Sequence, residues 1–256
     1  MTYNRFNFLP NMLAIQDLNK KYSKAIVPSI DHLSFSISKG KIFGLLGPNG
    51  AGKTTTISII SGLIEQYTGE VKVMGYDLAK NKKDILSLIG IVPQQFALFP
   101  TLTCYENLIY FGKLYQLEQT ALKQSIDHYL SIFGLQEHQN KLIKHYSGGM
   151  MRRANIIASL LHNPQLLILD EPTAGVDVHS RNMIIDFLLS YNKAGHSIIY
   201  TSHLLEEAER ICDEVLIIDL GKKIIQGNPK EICTMHACEN LQQLFLKLTG
   251  NSLRDH

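Results

Sequence analysis

Apolar and polar positions follow two different rules along this chain. Between Leu13 and Ser38 they alternate with a period of two, and Leu33, Phe35 and Ile37 fall on one side. That is the pattern of an antiparallel sheet with one wet face. Farther on, Lys41 to Gly47, Ile89 to Val92, Leu166 to Asp170, Ser197 to Thr201 and Val215 to Asp219 are short, largely apolar runs that read as strands. Thr54 to Leu63, Ser147 to His162, His179 to Lys193 and Leu204 to Cys212 lie between or beside them with helical spacing. Apolar strands separated by helices predict a mainly parallel sheet covered on both faces, an α/β core. From Thr103 to Phe133 the pattern is helical, interrupted near Leu117 to Thr120, which predicts a helical subdomain inserted into that core. Asn228-Pro229 closes the last strand, and only short helical stretches such as Leu241 to Leu248 follow.

The chemistry sits at the ends of the predicted strands. Gly47-Pro48-Asn49-Gly50-Ala51-Gly52-Lys53-Thr54 follows one strand and opens a helix, with Thr55 as the next residue. This is the phosphate-loop pattern in its required context. Glycines let successive N–H groups point inward at an anion, and the helix N-terminus adds partial positive charge. Lys53 is placed to reach the β and γ phosphates, and the Thr54 hydroxyl to ligate Mg²⁺. Asp170 ends a buried strand at the carboxyl edge of the sheet, where it would hold Mg²⁺. Glu171 can orient, or take a proton from, a water attacking the γ phosphate. His203 follows another strand to the same edge. Ser147-Gly148-Gly149 opens a helix with a good N-cap and two glycines, giving the chain a second anion-facing helix end.

In this order the motifs resemble those of the ATP-binding cassette ATPases from about Leu13 to Pro229. Tyr146-Ser147-Gly148-Gly149-Met150 is similar to that family's signature, with Tyr146 in place of the usual leucine and Met151 in place of the usual lysine. Gln94, preferred over the adjacent Gln95, resembles the glutamine that senses Mg²⁺ and the γ phosphate. Ala174-Gly175-Val176-Asp177 resembles the loop through which Asp177 couples one site to the other, and His203 the switch histidine. Tyr22 resembles the aromatic that stacks on adenine, its alternative being a buried strand aromatic. The resemblance implies a P-loop NTPase fold with ATP and Mg²⁺ as cofactors. It also implies a head-to-tail dimer with a second nucleotide-binding subunit, the signature of one subunit closing over the phosphate loop of the other. It divides the chain into an extension at 1–11, a nucleotide-binding domain at 12–232 with a helical subdomain at about 95–163, and a helical tail at 233–256.

Within that family, Val92-Pro93-Gln94-Gln95, Leu98-Phe99-Pro100-Thr101-Leu102-Thr103, Arg152-Arg153 and Glu206-Glu207-Ala208-Glu209 look like the ATPases of drug, polysaccharide and lipid exporters. Partners would then be integral membrane permease subunits, with Leu98 to Leu102 either their docking surface or subdomain core. Competing readings are an importer subunit, a repair or translation ATPase, and a catalytically dead scaffold. A fourth is a GTP-dependent switch, suggested by Asn81-Lys82-Lys83-Asp84; its position ahead of Asp170 argues against it.

Composition narrows the partners further. Over 256 residues, 25 basic and 23 acidic side chains leave a formal charge of +2, which gives no reason to invoke nucleic acid. No apolar run reaches the ~18 to 20 residues of a membrane span, and the first eleven residues hold no leader-like apolar stretch, so a cytoplasmic location is expected. The 4 cysteines are too scattered for a disulfide framework. Cys233, His236 and Cys238 lie close together but without zinc-site spacing, and read as ordinary residues of a terminal helix.

Overall fold

The computed structural model describes residues 11–23 and 25–250; most of the predicted N-terminal extension and the last six residues of the tail lie outside the described residues. In chain order the strands are β1 (Asn11–Lys20), β2 (Ile30–Ser38), β3 (Ile42–Leu46), β4 (Thr68–Val73), β5 (Tyr76–Asp77), β6 (Ile89–Val92), β7 (Leu166–Asp170), β8 (Ser197–Ser202), β9 (Glu214–Asp219) and β10 (Lys222–Gly227). The helices are α1 (Lys53–Ile60), α2 (Lys82–Leu88), α3 (Cys104–Leu114), α4 (Gln119–Ile132), α5 (Gly148–Leu160), α6 (Val178–Lys193), α7 (Leu205–Ile211), α8 (Pro229–Met235) and α9 (Leu241–Thr249).

Two sheets result. The first, in the order β2-β1-β4-β5, is antiparallel throughout. On β2 the period-two pattern becomes a physical division: Leu33, Phe35 and Ile37 are buried while Ser34 and Ser36 are exposed. Its third and fourth strands lie far along the chain from the first two. They were not anticipated, because Thr68–Val73 offers only Val71 and Val73 as buried positions among polar neighbours.

The second sheet runs β10-β9-β3-β8-β7-β6. All pairs are parallel except β10 on β9. Every residue of β3, β7 and β8 is buried, the signature of a sheet covered on both faces. Ile42, Leu46, Leu167 and Leu169 face one apolar cluster, and Phe43, Leu45, Leu166 and Ile168 the other. Each such side chain, fully buried, contributes roughly 1.5–3 kcal/mol relative to exposure.

Parallel register fixes where the loops emerge. Leu46 pairs with Ser202 and Ile217, Leu169 with Val92, and Asp170 with Thr201. The segments that follow β3, β6, β7 and β8 therefore leave the sheet together at its carboxyl edge, where open α/β sheets bind ligands.

The helical subdomain consists mainly of α3, α4 and the first turns of α5. A capping box starts α3: the Thr103 hydroxyl accepts from the Glu106 N–H, and the Glu106 carboxylate accepts from the Thr103 N–H. Leu108, Leu122, Ile126, Leu130 and Phe133 join it to the larger core cluster. The tail is part of the domain's packing: Leu241, Leu244 and Phe245 of α9 are buried in that cluster, and the Glu209 carboxylate of α7 accepts from the Leu241 N–H at 3.0 Å. No described helix is long and apolar enough to cross a membrane.

Candidate functional site

The loop between β3 and α1 is shaped by backbone that only glycine adopts without strain. Gly52 has φ +105° and precedes α1, and a Cβ there would stand 2.6 Å from the Ser29 carbonyl oxygen. No side chain caps α1, so its first N–H groups face the cleft in front of the loop. Lys53 is buried and bends back over the loop, its Nζ donating to the carbonyls of Gly47 (2.8 Å) and Pro48 (3.1 Å). Burial pushes the Lys53 ammonium below its ordinary pKa, while the Glu171 and Asp170 carboxylates pull the other way.

A cleft of about 210 Å³ opens in front of this loop, lined by residues 49–55, Ser29, Gln94 and Glu171. The Thr54 hydroxyl donates to one Asp170 oxygen at 3.4 Å. The other Asp170 oxygen accepts from the Thr201 hydroxyl at 2.7 Å, and Thr201 Oγ1 in turn accepts from the Glu171 N–H at 2.9 Å. Glu171 itself lies in the left-handed region, φ +49°, an uncommon conformation for a residue with a side chain. That turn directs its carboxylate at the cleft. One Glu171 oxygen accepts from Gln94 Nε2 at 3.0 Å and has His203 Nδ1 at 3.5 Å.

Thus the phosphate loop, Asp170, Glu171, Gln94 and His203 come together. The neighbouring glutamine, Gln95, is exposed and does not line the cleft. Tyr22 follows the end of β1 and is 44% exposed with Lys20 Nζ 5.0 Å from its ring centre, so it is not a buried strand aromatic. Asn49 and Gly50 are exposed at the loop tip, Ala51 is buried, and Thr55 is half-buried.

The signature residues lie elsewhere. Ser147 caps α5 by accepting from the Met150 N–H at 3.2 Å. Gly149 is buried, and a Cβ there would stand 2.3 Å from Ser180 Oγ and 2.5 Å from Asp177 Oδ2. Only glycine lets α5 pack this closely on α6. Asp177 caps α6, accepting from the Ser180 N–H at 2.9 Å and the Ser180 hydroxyl at 2.8 Å, and these bonds hold its carboxyl below the usual range. Ser147, Gly148, Gly149 and Asp177 do not line the phosphate-loop cleft. Tyr146 is buried, its hydroxyl donating to the His138 carbonyl at 2.8 Å.

Three residues that shape the site carried no sequence assignment to it. Thr201 bridges Asp170 and Glu171; it stands opposite Asp170 in the β7–β8 register, and only that pairing reveals it. Arg152, buried on α5, donates to the carbonyls of Pro93 (2.8 Å) and Gln94 (2.7 Å) and lies 4.9 Å from the Phe96 ring centre. Ser29 enters the cleft wall from the loop before β2.

Within Leu98 to Leu102 the side chains divide by exposure. Leu98 is buried in the core, whereas Phe99 is 41% exposed, edge-on to Tyr110 at 5.0 Å. A larger groove of about 700 Å³ between α4 and α6, lined by His128, Tyr129, Met183, Phe187 and Tyr191 among others, contains none of the predicted site residues. Among the described residues, no group of three or more His, Cys, Asp or Glu side chains is arranged to hold a metal; Cys233 lies on α8 and His236 is its C-cap.

The chain is also similar to known proteins. The family described as ABC transporter matches residues 30–174. The chain is 45% identical over 233 residues to the linearmycin resistance ATP-binding protein LnrL of Bacillus subtilis (strain 168), covering 91% of this chain and 74% of that protein. It is 38% identical over 223 residues to the Nod factor export ATP-binding protein I of Ralstonia nicotianae (strain ATCC BAA-1114 / GMI1000), covering 87% and 69%. A solved structure of the ATP binding subunit of an ABC transporter superposes with a TM-score of 0.85 at 28% identity, covering 93% of this chain and 99% of that one.

Proposed function

The chain belongs to the ABC transporter family, and from that premise we propose that it binds MgATP between two copies of a cassette and hydrolyses it to drive export through separate membrane-spanning subunits. The convergence of Gln94 and His203 on one oxygen of Glu171, at the mouth of the phosphate-loop cleft, carries this reading.

Residues 47–55 wrap the phosphate chain, with backbone N–H groups and the Lys53 ammonium as its counter-charge. Tyr22, exposed at the end of β1, stacks on the adenine. Thr54 Oγ1 and Asp170 Oδ2, 3.4 Å apart, are the hard oxygen donors Mg²⁺ takes, with Gln94 beside them. Bound there, Mg²⁺ would neutralise charge on the phosphate oxygens. Glu171 orients the attacking water and takes its proton, and His203 and Gln94 hold that carboxylate and the terminal phosphate in line.

Ser147, Gly148 and Gly149 present the N-terminus of α5 to a nucleotide held by the neighbouring cassette, with Asp177 at the same interface. Export follows from the likeness to an export subunit and to a resistance protein. Phe96, Phe99 and Tyr110, each exposed, support a surface that receives the permease, and through it the chain works at the cytoplasmic face of a membrane. The nucleotide-binding domain occupies 12–232, with the helical subdomain at about 95–163 and the tail beyond.

The test is Glu171→Gln, sized by chromatography with MgATP. The variant is expected to retain ATP and to accumulate as a dimer with turnover nearly abolished; a monomer that hydrolyses normally would overturn the assignment.

A further inference from the structure

Glu207 lies on α7, one turn beyond His203, and its carboxylate is almost fully enclosed, 11% exposed. One of its oxygens accepts from both the Tyr200 hydroxyl and the Thr173 hydroxyl, each at 2.6 Å. These are the lengths of charge-assisted O–H···O⁻ bonds. Its other oxygen faces Arg181 Nε of α6 at 3.2 Å. Tyr200 and Thr173 are themselves 0% and 1% exposed, so neither hydroxyl has water as an alternative partner.

The positions of these partners give the cluster its meaning. Thr173 is two residues beyond Glu171, and Tyr200 immediately precedes Thr201, which accepts from the Glu171 N–H. The left-handed turn at Glu171 is therefore clamped at both ends, by Thr201 on its N–H and by Glu207 on Thr173. A non-glycine residue in that conformation persists only when its surroundings over-determine it. Arg181 adds α6, the helix that Asp177 caps.

We propose that Glu207 is a positioning residue for hydrolysis: it holds the turn that aims the Glu171 carboxylate and ties that turn to the helix after His203 and to the helix after Asp177. The inference rests on the assignment of Glu171 as the group that activates water. Glu207 does not line the phosphate-loop cleft, so its loss is expected to act on kcat rather than on binding.

The experiment compares the full chain with Glu207→Gln, Glu171→Gln, the double variant and Tyr200→Phe, in single-turnover ATP hydrolysis, MgATP titration and thermal melting. Glu207→Gln is expected to lower kcat ~10- to 100-fold with KM and MgATP affinity within ~2-fold of the parent. Tyr200→Phe, which keeps the buried ring, is expected to show a smaller loss of the same kind. Because Glu207 acts through Glu171, the double variant is expected to be no slower than Glu171→Gln alone. Wild-type turnover in Glu207→Gln would overturn the proposal. So would losses that multiply in the double variant, or a fall in melting temperature and MgATP affinity that accounts for the lost rate, since both mark a purely structural role. Wild-type turnover in Glu171→Gln would instead overturn the assignment of Glu171 beneath it.

Discussion

Two helix N-termini in this chain look alike on paper and differ in the folded protein. That of α1 has no side-chain cap and stands behind a cleft lined by Lys53, Thr54, Gln94 and Glu171, with Asp170 bonded to Thr54 and His203 against Glu171. That of α5 is capped by Ser147, packs against Asp177 and Ser180, and gathers no catalytic side chain. In the function proposed above, the first end is the reaction site and the second is the lid for a neighbouring cassette. On the proposed function, the difference is what a pair of chains requires, each covering the other's site.

The strongest test of the first end is chemical. Glu171→Gln is expected to reduce turnover by ~10²- to 10⁴-fold, the range of a lost general base, in a phosphate-release assay. Lys53→Ala removes a charged donor to phosphate, and calorimetry is expected to show MgATP affinity weakened ~10- to 100-fold. Unchanged binding would break the assignment of the loop.

The second end is tested by mixing. A Cβ on Gly148 meets only the Gly175 carbonyl oxygen, at 3.7 Å, so Gly148→Asp is expected to fold while repelling an incoming phosphate. Alone it is expected to be inactive, as is Lys53→Ala alone. Combined, they are expected to regain turnover, because a mixed dimer contains one intact loop opposite one intact lid. A mixture as inactive as its parts would show that the lid serves its own chain.

Two smaller effects sharpen the contrast. Arg152→Met leaves the Pro93 and Gln94 carbonyls without their donor; a stability loss of ~1–3 kcal/mol in urea unfolding and a lower kcat are expected. His162 is half-buried, stacked on Tyr115 at 3.6 Å, and desolvation holds its imidazole below the ordinary pKa of 6.5. With the folded value below the unfolded one, the unfolded chain binds the proton more readily, so stability declines as pH falls below about 6.5. In His162→Gln that dependence is expected to flatten, as thermal melting across pH 5 to 8 would register.

Much of this site was legible because its parts are local. The phosphate loop needs a strand, eight residues and a helix in order, and Asp170-Glu171 needs only a buried strand before it. Gln94 was separable from Gln95 by its place after Val92-Pro93, and it is Gln94 that reaches Glu171. Less was legible where partners are remote. Nothing near Thr201 in the chain marks it as the bridge between Asp170 and Glu171, and nothing near Thr68–Val73 marks it as a partner of β1. Both depend on strand pairings whose other half lies tens of residues away.

Sequence alone therefore determined which chemical groups this protein carries and which element each terminates, since hydrophobic period, glycine placement and strand-end residues are properties of short segments. Tertiary structure alone decided which groups meet. Parallel register brought the ends of β3, β6, β7 and β8 to one edge, while close packing of α5 on α6 set Ser147 to Gly149 apart from that edge. The physical reason is that contact between remote segments is fixed by sheet register and by the burial of apolar faces, which are properties of the whole folded chain and of no segment within it.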